Sequence, residues 1–406
     1  MKQGSIAISL PVALATLMLG GCGGGANHGA AAAGYRVLHA FDLGDPPHRP
    51  CYGVVAGADG TLYGLSCSGG QSRLGTAYTV DPASGVAAVL FSFGLDPAGP
   101  GQKPVAALVS DRAGNLYGTT TEGGATHHGT VFKIDAKTHA VTLLHAFTGG
   151  PDGAIPSAGL SIDAQGNLFG NTRAGGSYDD GTVFEISPTG IEQVIYSFNQ
   201  SITGAPYHPR GALALDGSGH LYGTTSYGGT ANLGTVYELT PGLNSTPATL
   251  TVLHSFAGGG DGAYPIGGVV LDATHKQLYG TTTLGGSNDN GTVFACPVDG
   301  SAAQLVYAFQ ANGSGDGATP AGALVIDDAG VLYGTTENGG VDDRGTVFAL
   351  DPSSKVETVL HRFSGSATGD GAMPNPNLLI DAAGQLVGTT QLGGTNDVGT
   401  VFTLPR

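Results

Sequence analysis

Residues 332–350 read LYGTTENGGVDDRGTVFAL, and close relatives of this phrase occur six more times along the chain. The opening leucines stand at intervals of 54, 52, 53, 57, 54 and 54 residues, at Leu62, Leu116, Leu168, Leu221, Leu278, Leu332 and Leu386. Spacing this regular indicates a tandem array in which each copy is one supersecondary unit. The chain of 406 residues is therefore interpreted as one repeat domain rather than two or three unrelated ones.

Each copy contains four short stretches with strand character. In the third repeat they are residues 156–162, 167–172, 181–186 and 191–198. They are rich in β-branched and aromatic residues and are bounded by Gly, Pro, Asp or Asn. Four strands per copy, repeated seven times, predict an all-β fold, a seven-bladed β-propeller over residues 35–406 with almost no helix. A β-helix or other linear solenoid is the alternative, but open stacks need capping repeats, and none is evident.

The two ends of the array predict how the ring closes. Residues 35–41 resemble a fourth strand, and residues 399–404 resemble a third strand that has no fourth after it. Pairing the two ends would complete the last blade and remove its exposed edges. We therefore expect the N-terminal strand to close the ring.

The first 22 residues indicate export. Lys2 is followed by an apolar stretch that is too short, and too interrupted at Pro11, to be a permanent membrane span. The stretch ends in Leu19-Gly20-Gly21-Cys22, which resembles the lipobox of bacterial lipoproteins; an ordinary signal peptide with a chance cysteine is the alternative. The prediction is a lipoprotein signal peptide over residues 1–21, then a lipidated Cys22 and a flexible Gly/Ala tether over residues 22–34. An outer-membrane or cell-surface lipoprotein is expected.

The charge balance excludes several classes of partner. The chain has 15 Lys and Arg against 31 Asp and Glu, a formal net charge of −16. Nucleic acids and anionic lipid headgroups require clustered basic residues, and no basic run occurs. We expect a monomer that binds no nucleic acid and reaches the membrane only through its lipid.

Two cysteines suggest a disulfide. Pairing about the turn at residues 57–60 places Cys51 and Cys67 opposite each other on neighbouring strands, where a disulfide can form. Two buried thiols are the alternative. Cys296 stands where other repeats carry Leu or Ile, and a position in the core is expected.

The consensus LYGTT-x-x-GG-x4-GTVF-x-L, which covers residues 35–406 almost without gaps, resembles the GloVer tandem repeat of bacterial surface proteins. The repeat length and the Asp-Pro turns at Asp81-Pro82 and Asp351-Pro352 also resemble kelch repeats. The resemblance implies an architecture and no defined activity.

Two recurring polar positions have a structural and a functional interpretation. His39, His145, His254 and His361 share one repeat position, where the other repeats carry Phe91, Tyr196 and Tyr307. A site that accepts any flat ring favours packing over metal binding. Asp152, Asp261, Asp316 and Asp370 open a recurring Asp-Gly-Ala phrase, for which Asx-type turns are favoured over Ca²⁺ binding. No cofactor is expected, with Ca²⁺ as the alternative.

The loop between Gly-Gly and Gly-Thr-Val varies most among the copies. Loops of this kind emerge on the same face of a propeller as the Asp-Gly-Ala loops, and variable loops on a rigid scaffold commonly bind ligands. Solvated polar loops are the simpler interpretation. The candidate ligand-binding residues are His127, His128, Tyr178, Asp179, Asp180, Asn288, Asp289, Asn290, Asp342, Asp343, Arg344, Asn396 and Asp397.

Two functions remain after the motifs have been compared. The sequence has no G-x-S-x-G, no H-E-x-x-H and no phosphate-binding G-x-x-x-x-G-K, so no catalytic residue is assigned. The first function is a surface module that binds polysaccharide or protein without catalysis. The second is a glycan-active hydrolase or lyase with its site on the acidic loop face.

Overall fold

The structure, a computed structural model, describes residues 34–43, 47–242, 247–311 and 315–406. The predicted signal peptide, Cys22 and all of the tether except Gly34 lie outside the described residues. Within those ranges no helix is long and apolar enough to cross a membrane.

Seven small antiparallel sheets follow one another and form the blades of a β-propeller. Blade 7 begins with the first strand of the chain, β1 (Arg36–Ala40). Blade 1 contains β2 (Pro47–Pro50), β3 (Val55–Ala56), β4 (Leu62–Gly69), β5 (Thr76–Val80) and β6 (Ala87–Ser92). Blade 2 contains β7 (Gln102–Ser110), β8 (Leu116–Glu122), β9 (Thr130–Ile134) and β10 (Val141–Ala146). Blade 3 contains β11 (Ala154–Pro156), β12 (Ser161–Ile162), β13 (Leu168–Ala174), β14 (Thr182–Ile186) and β15 (Glu192–Ser197).

Blade 4 contains β16 (Tyr207–Leu215), β17 (Leu221–Tyr227), β18 (Thr235–Thr240) and β19 (Thr249–Ser255). Blade 5 contains β20 (Val270–Leu271), β21 (Gln277–Thr282), β22 (Thr292–Pro297) and β23 (Gln304–Ala308). Blade 6 contains β24 (Gly317–Ala318), β25 (Val325–Ile326), β26 (Leu332–Thr336), β27 (Asn338–Gly339), β28 (Thr346–Asp351) and β29 (Val356–Arg362). Blade 7 is completed by β30 (Gly371–Pro374), β31 (Leu379–Ile380), β32 (Gln385–Gly393) and β33 (Thr400–Pro405). Helix in the described ranges is limited to single 3₁₀ turns at Gly259–Asp261 and Ser366–Thr368.

The innermost strand of every blade contains a two-residue bulge that the sequence did not predict, as blade 3 shows. Residues 156–162 were predicted as one strand, but β11 ends at Pro156 and β12 begins at Ser161. The pairs Pro156–Thr172 and Ser161–Phe169 show that two extra residues are inserted between them. Such a bulge bends the strand, and the inserted residues line the central channel.

The ring is closed by the N-terminal strand, as predicted. β1 pairs antiparallel with β33, with Val37 opposite Phe402. Beside this pair the Tyr35 hydroxyl donates a hydrogen bond of 2.6 Å to Asp370, and the Tyr35 ring stacks on His361 with centroids 3.7 Å apart. Burial and the Asp370 carboxylate both raise the pKa of Tyr35, so its hydroxyl stays protonated as a donor.

An aromatic pair joins every blade to the next. The ring two residues after the shared His position packs edge-on against the ring of Gly-Thr-Val-Phe in the following blade, with centroids 5.1 to 5.4 Å apart. All of these rings are almost completely buried. The seven pairs are Phe41–Tyr78, Phe93–Phe132, Phe147–Phe184, Phe198–Tyr237, Phe256–Phe294, Phe309–Phe348 and Phe363–Phe402.

The glycine of Leu-Tyr-Gly makes room for this ring. A β-carbon at Gly118 would lie 2.6 Å from Cζ of Phe132, and one at Gly334 would lie 2.6 Å from Cζ of Phe348. Contacts that short are not tolerated, so the glycine and the aromatic residue are required together.

Threonine hydroxyls make a second set of repeated contacts. The second Thr of Leu-Tyr-Gly-Thr-Thr bonds the Thr of Gly-Thr-Val within its own blade, as Thr120 does with Thr130 at 2.7 Å. The first Thr donates to a backbone carbonyl of the next blade's bulge, as Thr119 does to Ala158 at 3.0 Å. Across the closure, Thr389 donates to the carbonyl of Tyr52 at 2.8 Å. Buried hydroxyls are thereby satisfied by contacts that also align the blades.

The structure joins Cys51 and Cys67 in a disulfide, with Cα atoms 5.8 Å apart. The two residues are not directly opposite, contrary to the prediction from the turn. Pro50 faces Ser66 while Val55 faces Tyr63, so the bulge shifts the register by two residues between them. Cys296 is buried and is the free cysteine of the described ranges.

Deleting residues 35–41 would remove β1, the Tyr35 contacts and the Phe41–Tyr78 pair together. We expect the thermal midpoint of unfolding to fall by about 10 °C or more, measured by circular dichroism. Tyr35→Phe is the matched control, since it keeps the strand and loses only the hydroxyl bond to Asp370, and should cost a few degrees. An unchanged midpoint in the deletion variant would contradict closure by β1.

Candidate ligand-binding site

The bulges of all seven innermost strands converge on a central cavity of about 470 Å³. Its wall is made mainly of small residues, because neighbouring strands approach too closely for larger ones. A β-carbon at Gly268 would lie 2.5 Å from the carbonyl oxygen of Ala212, and one at Gly322 would lie 2.5 Å from Cβ of Pro376. The volume lies within the roughly 300–1,000 Å³ range typical of small-molecule sites.

A few large polar side chains break this pattern of small residues. Tyr52, Arg210, Glu337 and Gln391 line the cavity. Glu337 and Gln391 stand two residues before the Gly-Gly pairs that open the variable loops. The polar end of the cavity therefore lies on the same side of the ring as those loops.

Arg210 lies in β16 and is half-buried. Its Nε has no hydrogen-bond partner, and no carboxylate of the described residues lies within 4 Å of its guanidinium. Burial lowers the pKa of Arg210, and the charge of Arg173 lowers it further. Burial also lowers the pKa of His208, again with a contribution from Arg173, while Asp180 and Asp179 act in the opposite direction.

A non-glycine residue with positive φ precedes the first-strand proline in every blade. Its N–H donates to a backbone carbonyl of the preceding blade, as His208 does to Asp180 at 3.1 Å. All seven residues adopt the left-handed conformation, with φ between 52° and 57°. For a residue other than glycine this conformation costs about 1 kcal/mol or more. The backbone is constant but the side chains differ: Arg49, Lys103, Ile155, His208, Tyr264, Thr319 and Met373.

The predicted candidate loops lie on the same face as the Asp-Gly-Ala loops. Gly176 donates its N–H to the carbonyl of Gly150 at 2.9 Å, and Gly340 donates to Asp316 at 2.7 Å. We call this side of the ring the mouth face, defined by the loops at residues 70–75, 124–129, 176–181, 229–234, 286–291, 340–345 and 394–399.

Several predicted candidates shape these loops. Four residues separate the Gly-Gly pair from the following Gly-Thr in each loop, and the third of them has positive φ. In five blades its side-chain oxygen accepts the N–H of the first glycine of the Gly-Gly pair at 2.7 to 2.9 Å. These residues are Asp179, Asn232, Asp289, Asp343 and Asp397. His127 has the same backbone conformation. The structure thus gives four of the predicted aspartates a turn-forming role, and their part in ligand binding stays a prediction.

The remaining candidates differ in exposure and in their hydrogen bonds. Tyr178 is 56% exposed, whereas Asp180 is only 1% exposed and accepts the N–H of Gln200. Asn288 and Asn290 both bond Gln310. The exposed candidates are His127, Tyr178, Asn288, Asp342, Arg344 and Asn396, while His128 is half-buried.

The shared histidine position is a packing position that also uses the Asp-Gly-Ala carboxylate. His254 packs edge-on against Phe256 with centroids 4.7 Å apart, and its Nε2 lies 3.0 Å from Asp261. Tyr307 takes the same place in blade 5 and bonds Asp316 at 3.0 Å. The carboxylates also accept backbone N–H groups four to six residues earlier, rather than forming Asx turns. In the described ranges no group of three His, Cys, Asp or Glu could hold a metal ion.

The sequence profile of the Gloeobacter/Verrucomicrobia repeat matches the chain in two copies, over residues 27–215 and 204–402. The chain belongs to this repeat family. The predicted resemblance to GloVer repeats is confirmed. No curated protein matches the sequence.

Solved structures show the same fold at low identity. An oligogalacturonate lyase in complex with manganese has a TM-score of 0.60 and 13% identity, over 93% of this chain and 95% of the lyase. The oligogalacturonate lyase of Vibrio parahaemolyticus gives 0.59 and 11%, over 91% and 93%. The extracellular domain of a putative hybrid two-component system from B. thetaiotaomicron gives 0.57 and 12%, over 92% of this chain and 41% of that one. These similarities concern the fold alone.

A pair of neighbouring substitutions separates turn formation from ligand contact. Asp179→Ala removes the acceptor for Gly175 and keeps a side chain at positive φ, so the free energy of unfolding should fall by about 1–2 kcal/mol. Tyr178→Ala, at the adjacent exposed position, should stay within about 0.5 kcal/mol of the wild type. Urea denaturation measures both, and equal stability of the two variants would remove the turn-forming role.

Proposed function

We propose that this protein is a lipid-anchored surface propeller that binds a polysaccharide or a protein at its mouth face and does not convert it. One observation carries the proposal: the central cavity, its large polar side chains and the loops that differ most between blades lie on the same face. The described turns of the opposite face that join the first two strands of a blade are shorter, such as residues 57–60, 111–114 and 163–166.

The constancy of the framework supports a binding role for the variable positions. Seven aromatic pairs and seven interblade N–H contacts hold the backbone of the mouth face in the same conformation in every blade. Side chains at equivalent positions nevertheless range from Ile155 to Arg49. A rigid scaffold that presents different side chains from fixed backbone positions is well suited to recognise one ligand.

The second candidate is a glycan-active hydrolase or lyase that uses the same face. The oligogalacturonate lyases share the fold over nearly their whole length, so the experiment described next also looks for a reaction product. At 11–13% identity the similarity transfers no residue of theirs to this chain.

A glycan array and a protein-binding screen, each followed by product detection, would test the function. We expect binding without any product. Single substitutions at exposed mouth-face residues, such as Tyr178→Ala, Asn288→Ala and Asp342→Ala, should weaken binding in a graded way, by about two- to tenfold each.

Lys137→Ala is the matched control for those variants, because Lys137 lies in the exposed turn between β9 and β10 on the opposite face. It should bind as the wild type does. Release of product, and its complete loss in one of the single variants, would establish the enzyme instead.

The anchor is tested separately. With Cys22 acylated, the protein should incorporate a labelled fatty acid and sediment with bacterial membranes, since multiple acyl chains bind a bilayer stably. Cys22→Ser should abolish both. A wild-type protein that is unlabelled and soluble would overturn the lipoprotein assignment and leave the binding proposal untouched.

A further inference from the structure

The inference concerns the chemical class of the ligand and rests on the binding function proposed above. It begins with Arg210, whose repeat position is occupied elsewhere by small or uncharged residues: Cys51, Val105, Ser157, Ile266, Ala321 and Asn375. Among the residues that the structure describes, Arg210 is thus the one Lys or Arg that lines the central cavity.

The positive charge at this point has no ion-pair partner among the described residues. The charge with the largest effect on the pKa of Arg210 is that of a second arginine, Arg173, which lowers it after burial has done so. A half-buried charge without a counterion is unfavourable, since desolvation is not offset by attraction. The arrangement is the more unusual because the chain has twice as many acidic as basic residues.

The acids nearby do not pair with Arg210. Asp180 and Asp179 act to raise the pKa of His208, but neither carboxylate lies within 4 Å of the Arg210 guanidinium. Asp180 accepts the N–H of Gln200, and Asp179 accepts the N–H of Gly175. Glu337 lines the same cavity without pairing with Arg210. An anionic group in the cavity would supply the missing counterion, and a planar carboxylate can accept two parallel N–H bonds from a guanidinium.

Aromatic rings that stand three residues from Arg210 along the same strand pair indicate what carries the carboxylate. Tyr207 stacks on Tyr227 with centroids 5.5 Å apart and an interplanar angle of 18°. Tyr264 of the next blade meets Tyr227 edge-on at 5.9 Å, and Tyr227 lies close enough to influence the pKa of Arg210. All three tyrosines are half-buried and stand at the mouth face.

Partly exposed tyrosines offer apolar faces and hydroxyl groups together. A pyranose ring matches such a surface, because it has an apolar C–H face and a periphery of hydroxyls. We propose that the mouth of the cavity between blades 4 and 5 binds a uronic-acid residue of a polysaccharide, with its carboxylate on Arg210 and its ring against the Tyr227 cluster.

Isothermal titration with uronic-acid tetrasaccharides tests this proposal. The probes are tetramers of galacturonate, glucuronate and mannuronate, the same tetramers with each carboxylate reduced to an alcohol, and a sulfated neutral tetrasaccharide. At least one acidic tetramer should bind at least tenfold more tightly than its reduced form. Arg210→Gln should remove that preference and leave the weak affinity for the reduced form unchanged.

Two further variants make the result specific. Arg210→Lys keeps the charge but loses the two-pronged geometry, so it should retain only part of the preference. Arg112→Gln changes the net charge equally at an exposed position on the opposite face and should bind as the wild type does.

The outcomes separate this inference from the function on which it rests. No binding of any acidic tetramer, equal binding of the reduced form, preference for the sulfated probe, or an unchanged Arg210→Gln variant would each overturn the uronic-acid assignment. If the screens find a neutral glycan or a protein that binds independently of Arg210, the binding function stands and the uronic-acid assignment is wrong. If acidic tetramers bind through Arg210 and are then cleaved, the uronic-acid assignment stands and the non-catalytic function is wrong.

Discussion

Edge-on packing between an aromatic ring at the end of one blade and an aromatic ring inside the next is the contact on which the whole ring depends. It recurs seven times within 0.3 Å, and Phe41 supplies it across the closure. The aromatic side chain inside each blade occupies the space that the glycine of Leu-Tyr-Gly leaves free. The glycine and the aromatic residue therefore recur together in the repeat. A four-stranded blade is too small to bury its own faces, so stability arises between blades.

This framework explains how a strained backbone can be kept at the mouth face. Each of the seven positive-φ residues that precede a first-strand proline donates its N–H to the blade before it. The proline then packs on that blade's glycine, as Pro320 does on Gly291. Interblade contacts therefore hold seven side chains in one orientation around the channel. Side-chain identity can then vary without disturbing the fold, which is the property that a binding face requires.

Sequence reasoning succeeded and failed at identifiable places in the site. It placed the variable loops and the Asp-Gly-Ala loops on one face and recognised the histidines as packing residues. It did not see that Asp179, Asp289, Asp343 and Asp397 bond the glycines of their own loops, because that role depends on a left-handed backbone. Arg210 was also missed, although a charged residue at a repeat position that is uncharged in the other six copies was a signal in the sequence.

By itself, the sequence determined the number of blades, the order of strands within each blade and the strand that closes the ring, because these follow from periodicity and from where the repeats begin and end. Only the tertiary structure decided the register of the innermost strands and which side chains meet in the central cavity. The two-residue bulge that offsets Cys51 from Cys67 arises where seven strands converge on one axis, and no local pattern encodes that crowding. Convergence on the axis also brings Tyr52 of blade 1 and Arg210 of blade 4 into one cavity, although 158 positions separate them along the chain.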